Sequence, residues 1–324
     1  MRPLIEITLL PEDSGKKLHR YLRQALPGLP LSGVYKMIRV GRVKVNGKKG
    51  KVDTVLQPGD CLSLYIHQDE YSELAKNKPK FKGMSTDIDI VYEDEHILVV
   101  NKPVDLLTHP DSSEHKDTLI NRALAYLYRH GEIADGRSFL PATVNRLDRN
   151  TSGIVMIGKD TSTLRTLSEA IRDRRVEKTY LAIVWGKLIG SGDVDTPLMR
   201  VQRTNRTVGA LDGSVDGRTA LTRYRTLGSG AGFTLVEITL ISGRTHQIRA
   251  HMQAIGHPLL GDVKYGGKPA FDVTYQLLHA YTVKLPDGRV FAADPPADFL
   301  RVLAQTGLKR YMQDRPQRRG TGAK

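Results

Sequence analysis

Residues 145–153 read NRLDRNTSG, and Asp148 stands there between Arg146 and Arg149, just ahead of a small-residue turn and the apolar run IVMIG. A carboxylate so placed has two readings. It is one leg of a solvated ion pair, the commoner outcome for an Arg-Asp-Arg cluster. Or it is a reacting group held ionised by cationic neighbours. The stretch alone favours the first. Three others bear on the choice. Lys102 lies in the strand-to-loop exit Asn101-Lys102-Pro103, Tyr180 begins a strand in EKTYLAIVWG, and Arg244 occupies a turn in ISGRTHQIRAH, between a strand ending at Ser242-Gly243 and a helix starting near Thr245. An arginine at such a junction is aimed by both elements; the plainer reading is a phosphate contact or a solvated charge at a helix end.

Other chemistries find little support. Cys61 is the single cysteine, so no intramolecular disulfide forms and a reducing cytoplasm fits. It sits in the apparent strand CLSLYI, which suits a small buried hydrophobe better than a nucleophile. His246 and His251 are five apart and point to different helix faces, and no Cys/His group has zinc spacing. No metal or cofactor is expected. The run from Gly41 to Lys48 is one residue too long for a phosphate loop and lacks its Ser/Thr. GSGAG at 228–232 reads as a hairpin loop. Asn150-Thr-Ser matches a glycosylation acceptor, which is idle without secretion.

The chain has 324 residues, enough for about two domains, with 40% hydrophobic residues to build cores. Its net charge of +14 points to a polyanionic partner, nucleic acid before an anionic membrane. Apolar runs such as Leu181-Ala-Ile-Val-Trp185 fall far short of the ~18 residues of a membrane span. Glu6 interrupts any signal-peptide stretch.

Residues 1–68 read as a separate small module. Leu18, Tyr21, Leu22, Ala25 and Leu26 share a helical face, and SGVYKMIRVG predicts a second helix from Ser32 as N-cap to Gly41. RVKVNGKK alternates and turns at Asn46-Gly47. Residues 36–51 hold seven basic and no acidic residues, among them Lys36, Arg39, Arg42 and Lys44. Like charges packed so densely cost stability unless something offsets them, so a phosphate-binding surface is preferred to a merely solvated face. YKMIRVGRVKVNGK followed by QPGD resembles the α-L RNA-binding module of ribosomal proteins. Residues 69–86, polar and lysine-rich with Pro79 and Gly83, read as a linker. Residues 87–305 alternate strands (DIVY, HILVVN, IVMIG, TYLAIVWG, TALTRYRTL, FTLVEITLI, LLHAYTVKL) with two amphipathic helices, STLRTLSEAIRDRR and THQIRAHMQAIG. That pattern predicts an α+β fold around a mixed, mainly antiparallel sheet. Residues 306–324 read as a basic flexible tail.

YEDEHILVVNKP, NRLDRNTSG, EKTYLAIVWG and SGRTHQIRAH, in that order, resemble the RluA-type pseudouridine synthases from about residue 87 to 285. The resemblance implies a mainly antiparallel fold with its site in a basic cleft, and isomerisation of uridine in RNA without a cofactor. It makes Asp148 the catalytic residue, sets Tyr180 against the target base, pairs Arg244 with Asp148, and gives Arg146 the flipped-base conformation to hold. With the first module it implies ribosomal RNA as partner and a cytoplasmic protein, expected to be a monomer. Lys36, Arg39, Arg42, Lys44 and Lys102 are the further candidate substrate contacts. The family pattern usually has His at 145, where this chain has Asn. It often carries Gly where Asp105 stands, a residue that still tolerates left-handed backbone. The rival readings are a non-catalytic RNA-binding or ribosome-assembly factor, a synthase acting on transfer RNA, and a glycoside hydrolase. The last normally needs a second carboxylate, which the motifs do not contain.

Overall fold

The computed structural model describes residues 5–75, 81, 83–133, 139–204, 206–210 and 217–313. The chain divides into two compact units, Met1–Gly83 with Leu127–Leu140, and Met84–Tyr126 with Pro141–Lys324.

In the first unit, β1 (Ile5–Thr8), β2 (Val43–Val45), β3 (Lys48–Lys49) and β4 (Cys61–Leu64) form an antiparallel sheet in the order β1-β4-β2-β3. Helices α1 (Leu18–Ala25) and α2 (Leu31–Arg39) pack on it, burying Leu18, Leu22, Val34 and Ile38 with Val43, Leu62 and Leu64. The apolar spacing of α1 faces this core as expected. Helix α2 starts earlier than expected: Pro30 is its N-cap, and Ser32 lies inside it. Gly41 ends it at φ +78°, and Asn46-Gly47 turns the hairpin with both residues at positive φ. The stretch read as a linker contains a helix, α3 (Gln68–Ala75), because Tyr71, Leu74 and Ala75 find apolar partners on the core of this unit. Residues 76–80 and 82 lie outside the described residues.

The second unit is built on one sheet. Its strands are β5 (Asp89–Glu93), β6 (Ile97–Lys102), β7 (Ala142–Thr143), β8 (Ser152–Gly158), β9 (Glu177–Trp185), β10 (Ser191–Asp195), β13 (Leu221–Gly230), β14 (Phe233–Leu240), β15 (Leu278–Lys284) and β16 (Val290–Ala292). The main path runs β10-β13-β14-β9-β15-β8-β6-β5, with β16 on β15 and β7 on β8. Every pairing is antiparallel except β8 with β15. A separate hairpin joins β11 (Leu198–Val201) to β12 (Arg206–Gly209). The expected α+β class and mainly antiparallel sheet are both found.

Helix α5 (Thr161–Arg172), capped by Asp160, buries Leu167 and Ala170 against Val99, Ile154 and Met156. Helix α7 (Ala297–Gln305) buries Phe299, Val302 and Leu303 against Leu181, Ile183 and Leu235. Helix α6 (Gln247–Ala254) and most of α4 (Leu119–Arg129), up to Tyr126, also belong to this unit. The stretch expected to be a flexible tail from 306 begins packed: Thr306 and Leu308 are buried, and the Tyr311 ring lies over Gly228, where only a glycine leaves room. Residues 314–324 lie outside the described residues.

Two features of this sheet position the site. Alternation along β9 sends Leu181 and Ile183 into the α7 core and Tyr180 to the opposite face. On β15, Ala280 has Tyr180 as partner on one side and Gly153 on the other. The turn carrying Asp148 runs directly into β8, so it ends near Tyr180.

Candidate active site

The Asp148 turn is held by neighbours far away in sequence. Asn145 donates to Ile154 O at 3.0 Å and accepts from Met156 N at 2.9 Å. Thr108 Oγ1 accepts from Leu147 N and donates to Leu147 O. Asn145 thus holds backbone by both ends of its amide. Asp105 takes φ +58°, the left-handed backbone expected of the usual glycine there. Lys102 is fully buried, and its Nζ donates to the carbonyls of Pro103, Leu106 and Arg149 at 2.7–2.8 Å. Three acceptors call for the three donors of an ammonium. Burial nonetheless brings the amine down to about 7, against the pull of the Asp148 and Asp105 charges. Lys102 therefore clamps backbone beside Asp148 and has no donor left for substrate, which corrects its expected role as a substrate contact.

The other half of the site comes from the segment after β14. His246 adopts φ +55° and turns the chain into α6. Gln247 fastens that turn: it accepts from Ser242 Oγ and Arg244 N, and donates to Leu221 O and Thr222 Oγ1. Beyond the kink, Arg249 points inward. Its Nε and Nη2 grip both oxygens of Asp262, a carboxylate 1% exposed, at 2.7 Å each. Its Nη1 lies 3.3 Å from Asp148 Oδ2. Its guanidinium stacks 4.8 Å from the Tyr265 ring centroid. His246 Nε2 lies 3.6 Å from the same Asp148 oxygen. Burial drives His246 down to about 4, with Arg249, Lys264 and Arg200 adding to the effect and Asp148 opposing it. The cation facing Asp148 is therefore Arg249. Arg244, expected to be its partner, stands before the kink and donates from Nε to Thr219 O at 3.1 Å.

Asp148, Arg146, Tyr180, Arg244, His246 and Arg249 all line one cleft of about 240 Å³. Asp148 reaches it with 24% of its side chain exposed. Tyr180 is buried along its length, and burial first, then the Asp148 charge, raises its hydroxyl pKa. Arg146 is exposed at the cleft and has no hydrogen bond or ion pair among the described residues. Arg149 turns away from Asp148, toward Ser113 and Asp105. Lys178, two residues before Tyr180 on the same face of β9, also lines the cleft, its amine pKa lowered by burial. Lys178 and Arg249 stand within the quoted motifs without being singled out, and His246 was weighed only as a metal ligand. Asp262 and Tyr265 lie in PLLGDVKYGG, and the only signal there was an acidic residue set among glycine and apolar neighbours.

In the first unit Lys36, Arg42 and Lys44 line a groove of about 630 Å³, with Tyr65 along it and Glu70 as the acidic side chain of its lining. Lys44 Nζ stands 5.1 Å from the Tyr65 ring centroid. Arg39 is exposed on α2. Among the described residues, no group of three or more His, Cys, Asp or Glu side chains is placed to hold a metal.

Comparison with known proteins finds two family matches. Residues 96–254 match the RNA pseudouridylate synthase family, and residues 16–61 match the S4 domain. The chain is 32% identical to the ribosomal large subunit pseudouridine synthase C of Escherichia coli K12 over 326 residues, covering 95% of each. It is 32% identical to the RNA pseudouridine synthase YlyB of Bacillus subtilis, covering 85% of this chain and 88% of that one. Among solved structures, human RNA pseudouridylate synthase domain containing 4 superposes with a TM-score of 0.58 at 24% identity, covering 68% of this chain and 93% of its own.

Proposed function

We propose that this chain, which belongs to the RNA pseudouridylate synthase family, converts uridines of ribosomal RNA to pseudouridine with Asp148 as the reacting carboxylate. The reaction breaks the bond between ribose C1′ and uracil N1, turns the base, and joins C1′ to C5. The hydrogen on C5 leaves as a proton and N1 gains one, so mass is unchanged. An anionic oxygen must engage the nucleoside. The observation that carries the reading is the Asp148 carboxylate, open to the cleft and held at 3.3 Å by an arginine that Asp262 locks from behind. Attraction between Arg249 and Asp148 aims the oxygen. Tyr180 offers a ring edge or face to an extruded uracil, and Arg146, exposed at the cleft, is placed to hold the flipped nucleotide. Residues of this chain supply these functions without a cofactor.

Ribosomal RNA is favoured by the cationic groove of the first unit, built for phosphate contacts, and by the substrate in the name of the relatives. Lys36, Arg39, Arg42 and Lys44 are the proposed backbone contacts. No helix among the described residues is long and apolar enough to cross a membrane. We place the protein in the cytoplasm as a monomer.

The test is carbodiimide labelling of ribosomal and transfer RNA from cells lacking the gene, complemented with wild type or Asp148→Asn. A large-subunit uridine should lose its label without the gene and regain it only with wild type. Purified Asp148→Asn should bind RNA normally while turning over roughly 10⁴-fold more slowly or worse. Loss of label in transfer RNA alone would overturn the substrate class. Turnover by Asp148→Asn near the wild-type rate would overturn the role of Asp148.

A further inference from the structure

We propose that His246 is a positioning residue that orients Asp148 through a one-way hydrogen-bond relay starting at the backbone of Thr207; this rests on the assignment of Asp148 above. The direction of the relay is set at its two ends, a backbone donor at one and a carboxylate at the other. The Thr207 N–H on β12 can only donate, and it donates to Tyr265 Oη at 2.7 Å. Tyr265 is fully buried. Its hydroxyl also meets His246 Nδ1 at 2.9 Å and lies beside the Thr207 side chain. If Nδ1 carried the proton, Nε2 would turn a lone pair toward the Asp148 carboxylate 3.6 Å away. The phenol therefore donates to Nδ1, and the single proton of the neutral imidazole sits on Nε2. That N–H is directed at Asp148 Oδ2, 3.6 Å away.

The groups facing His246 are Asp148 from the turn before β8, Arg249 from α6, Arg200 from β11, and Lys264 and Tyr265 from the turn at Val263–Tyr265. Three of them are cations, and with burial they keep the imidazole neutral. A neutral donor fixes the direction of the carboxylate and leaves the charge to Arg249. The opposite tautomer would present a lone pair to an anion. At 3.6 Å the contact is longer than a hydrogen bond in the free protein, and the relay requires it to shorten when the nucleoside binds. The left-handed backbone of His246 is an uncommon conformation for a residue with a side chain, and it is what carries the ring over Asp148.

The test uses the full chain. Tyr265→Phe keeps the ring face against Arg249 and Arg206, 4.8 and 5.2 Å from their guanidinium carbons, and removes only the hydroxyl. Its single-turnover rate on the uridine located by labelling should fall by about tenfold or more while RNA affinity holds within about twofold. His246→Gln should lose a similar factor, and the double variant should be no slower than His246→Gln alone. Nitrogen-15 spectra of histidine-labelled protein should show His246 as the Nε2–H tautomer at neutral pH, and should show that preference lost in Tyr265→Phe. An Nδ1–H or doubly protonated His246, a normal rate for Tyr265→Phe, or additive losses would each overturn the relay. With Asp148→Asn inactive in the same assay, such a result removes the relay and leaves the catalytic assignment standing. An active Asp148→Asn removes both.

Discussion

Removing the Arg249 guanidinium strands two carboxylates at once, Asp148 at 3.3 Å and Asp262 at 2.7 Å. Asp262 is the costlier of the two, since it is 1% exposed and both its oxygens face that one side chain. Breaking a buried pair on one side typically costs about 3–5 kcal/mol. Arg249→Met should therefore lose about that much stability in denaturant titration, together with most turnover. Arg244→Met should lose less than about 1 kcal/mol, because its side chain holds one carbonyl at a half-exposed position. Equal losses at the two positions would contradict the geometry. The placement of Asp148 and Tyr180 in one cleft was legible because each lies within a continuous motif at a strand end. The choice between two arginines five apart was not. It depends on the φ of +55° at His246, which swings α6 inward after Arg244 has already passed. Nothing in the letters SGRTHQIRAH marks a left-handed histidine. Lys102 misled for a related reason: a lysine beside a candidate site reads as a contact for a polyanion, and only the fold brings three carbonyls to its amine.

At the scale of elements, β8 and β15 meet as the parallel pair in an otherwise antiparallel sheet. Gly153 has φ +111°, and a Cβ there would collide with the backbone of Ala280. Gly153→Ala should destabilise by about 3 kcal/mol or more, from strained backbone and overpacking together, read as a lower denaturation midpoint. A shift below about 1 kcal/mol would mean the two strands separate readily. One residue before it, Ser152 Oγ donates to His279 Nδ1, and His279 Nε2 donates to Ala293 O. Burial holds His279 down to about 4, against 6.5 for a free histidine. Between those values the unfolded chain takes up a proton that the folded chain refuses. The stability from this residue is complete above about pH 6.5 and drains as pH falls toward 4, by at most about 3 kcal/mol. Denaturation curves from pH 7 to 4.5 should show that slope, and His279→Gln should reduce it, leaving the part that the other buried histidines, His246 among them, contribute. Most strands of this sheet were legible as β-branched runs between turns. Helix α4 was not. Thr118, just before it, has the residue type of an N-cap, but its hydroxyl is buried without a hydrogen-bond partner among the described residues. Helix α3 hid behind its polar composition, since its apolar contacts come only from Tyr71, Leu74 and Ala75.

For the molecule as a whole, a net charge of +14 makes RNA affinity depend on salt. Each phosphate contact removed should lower the slope of log affinity against log salt by about 0.7 to 0.9. Arg42→Ala with Lys44→Ala should lower it by nearly twice that, with the single-turnover rate at saturating enzyme unchanged; an unchanged slope would mean that face of the first unit is merely solvated. The pairing of Ser152 with His279 spans 127 positions of sequence. At about 5–20 residues per second, a ribosome delivers the second roughly 6–25 s after the first. For that interval the nascent chain displays Asp148 without β15 beside it, and for most of it without Arg249 or Asp262. A chain cut short before β15 thus holds Asp148 but no closed cleft around it, and is expected to turn over no uridine. The long-range register ties the onset of RNA modification to near-completion of synthesis.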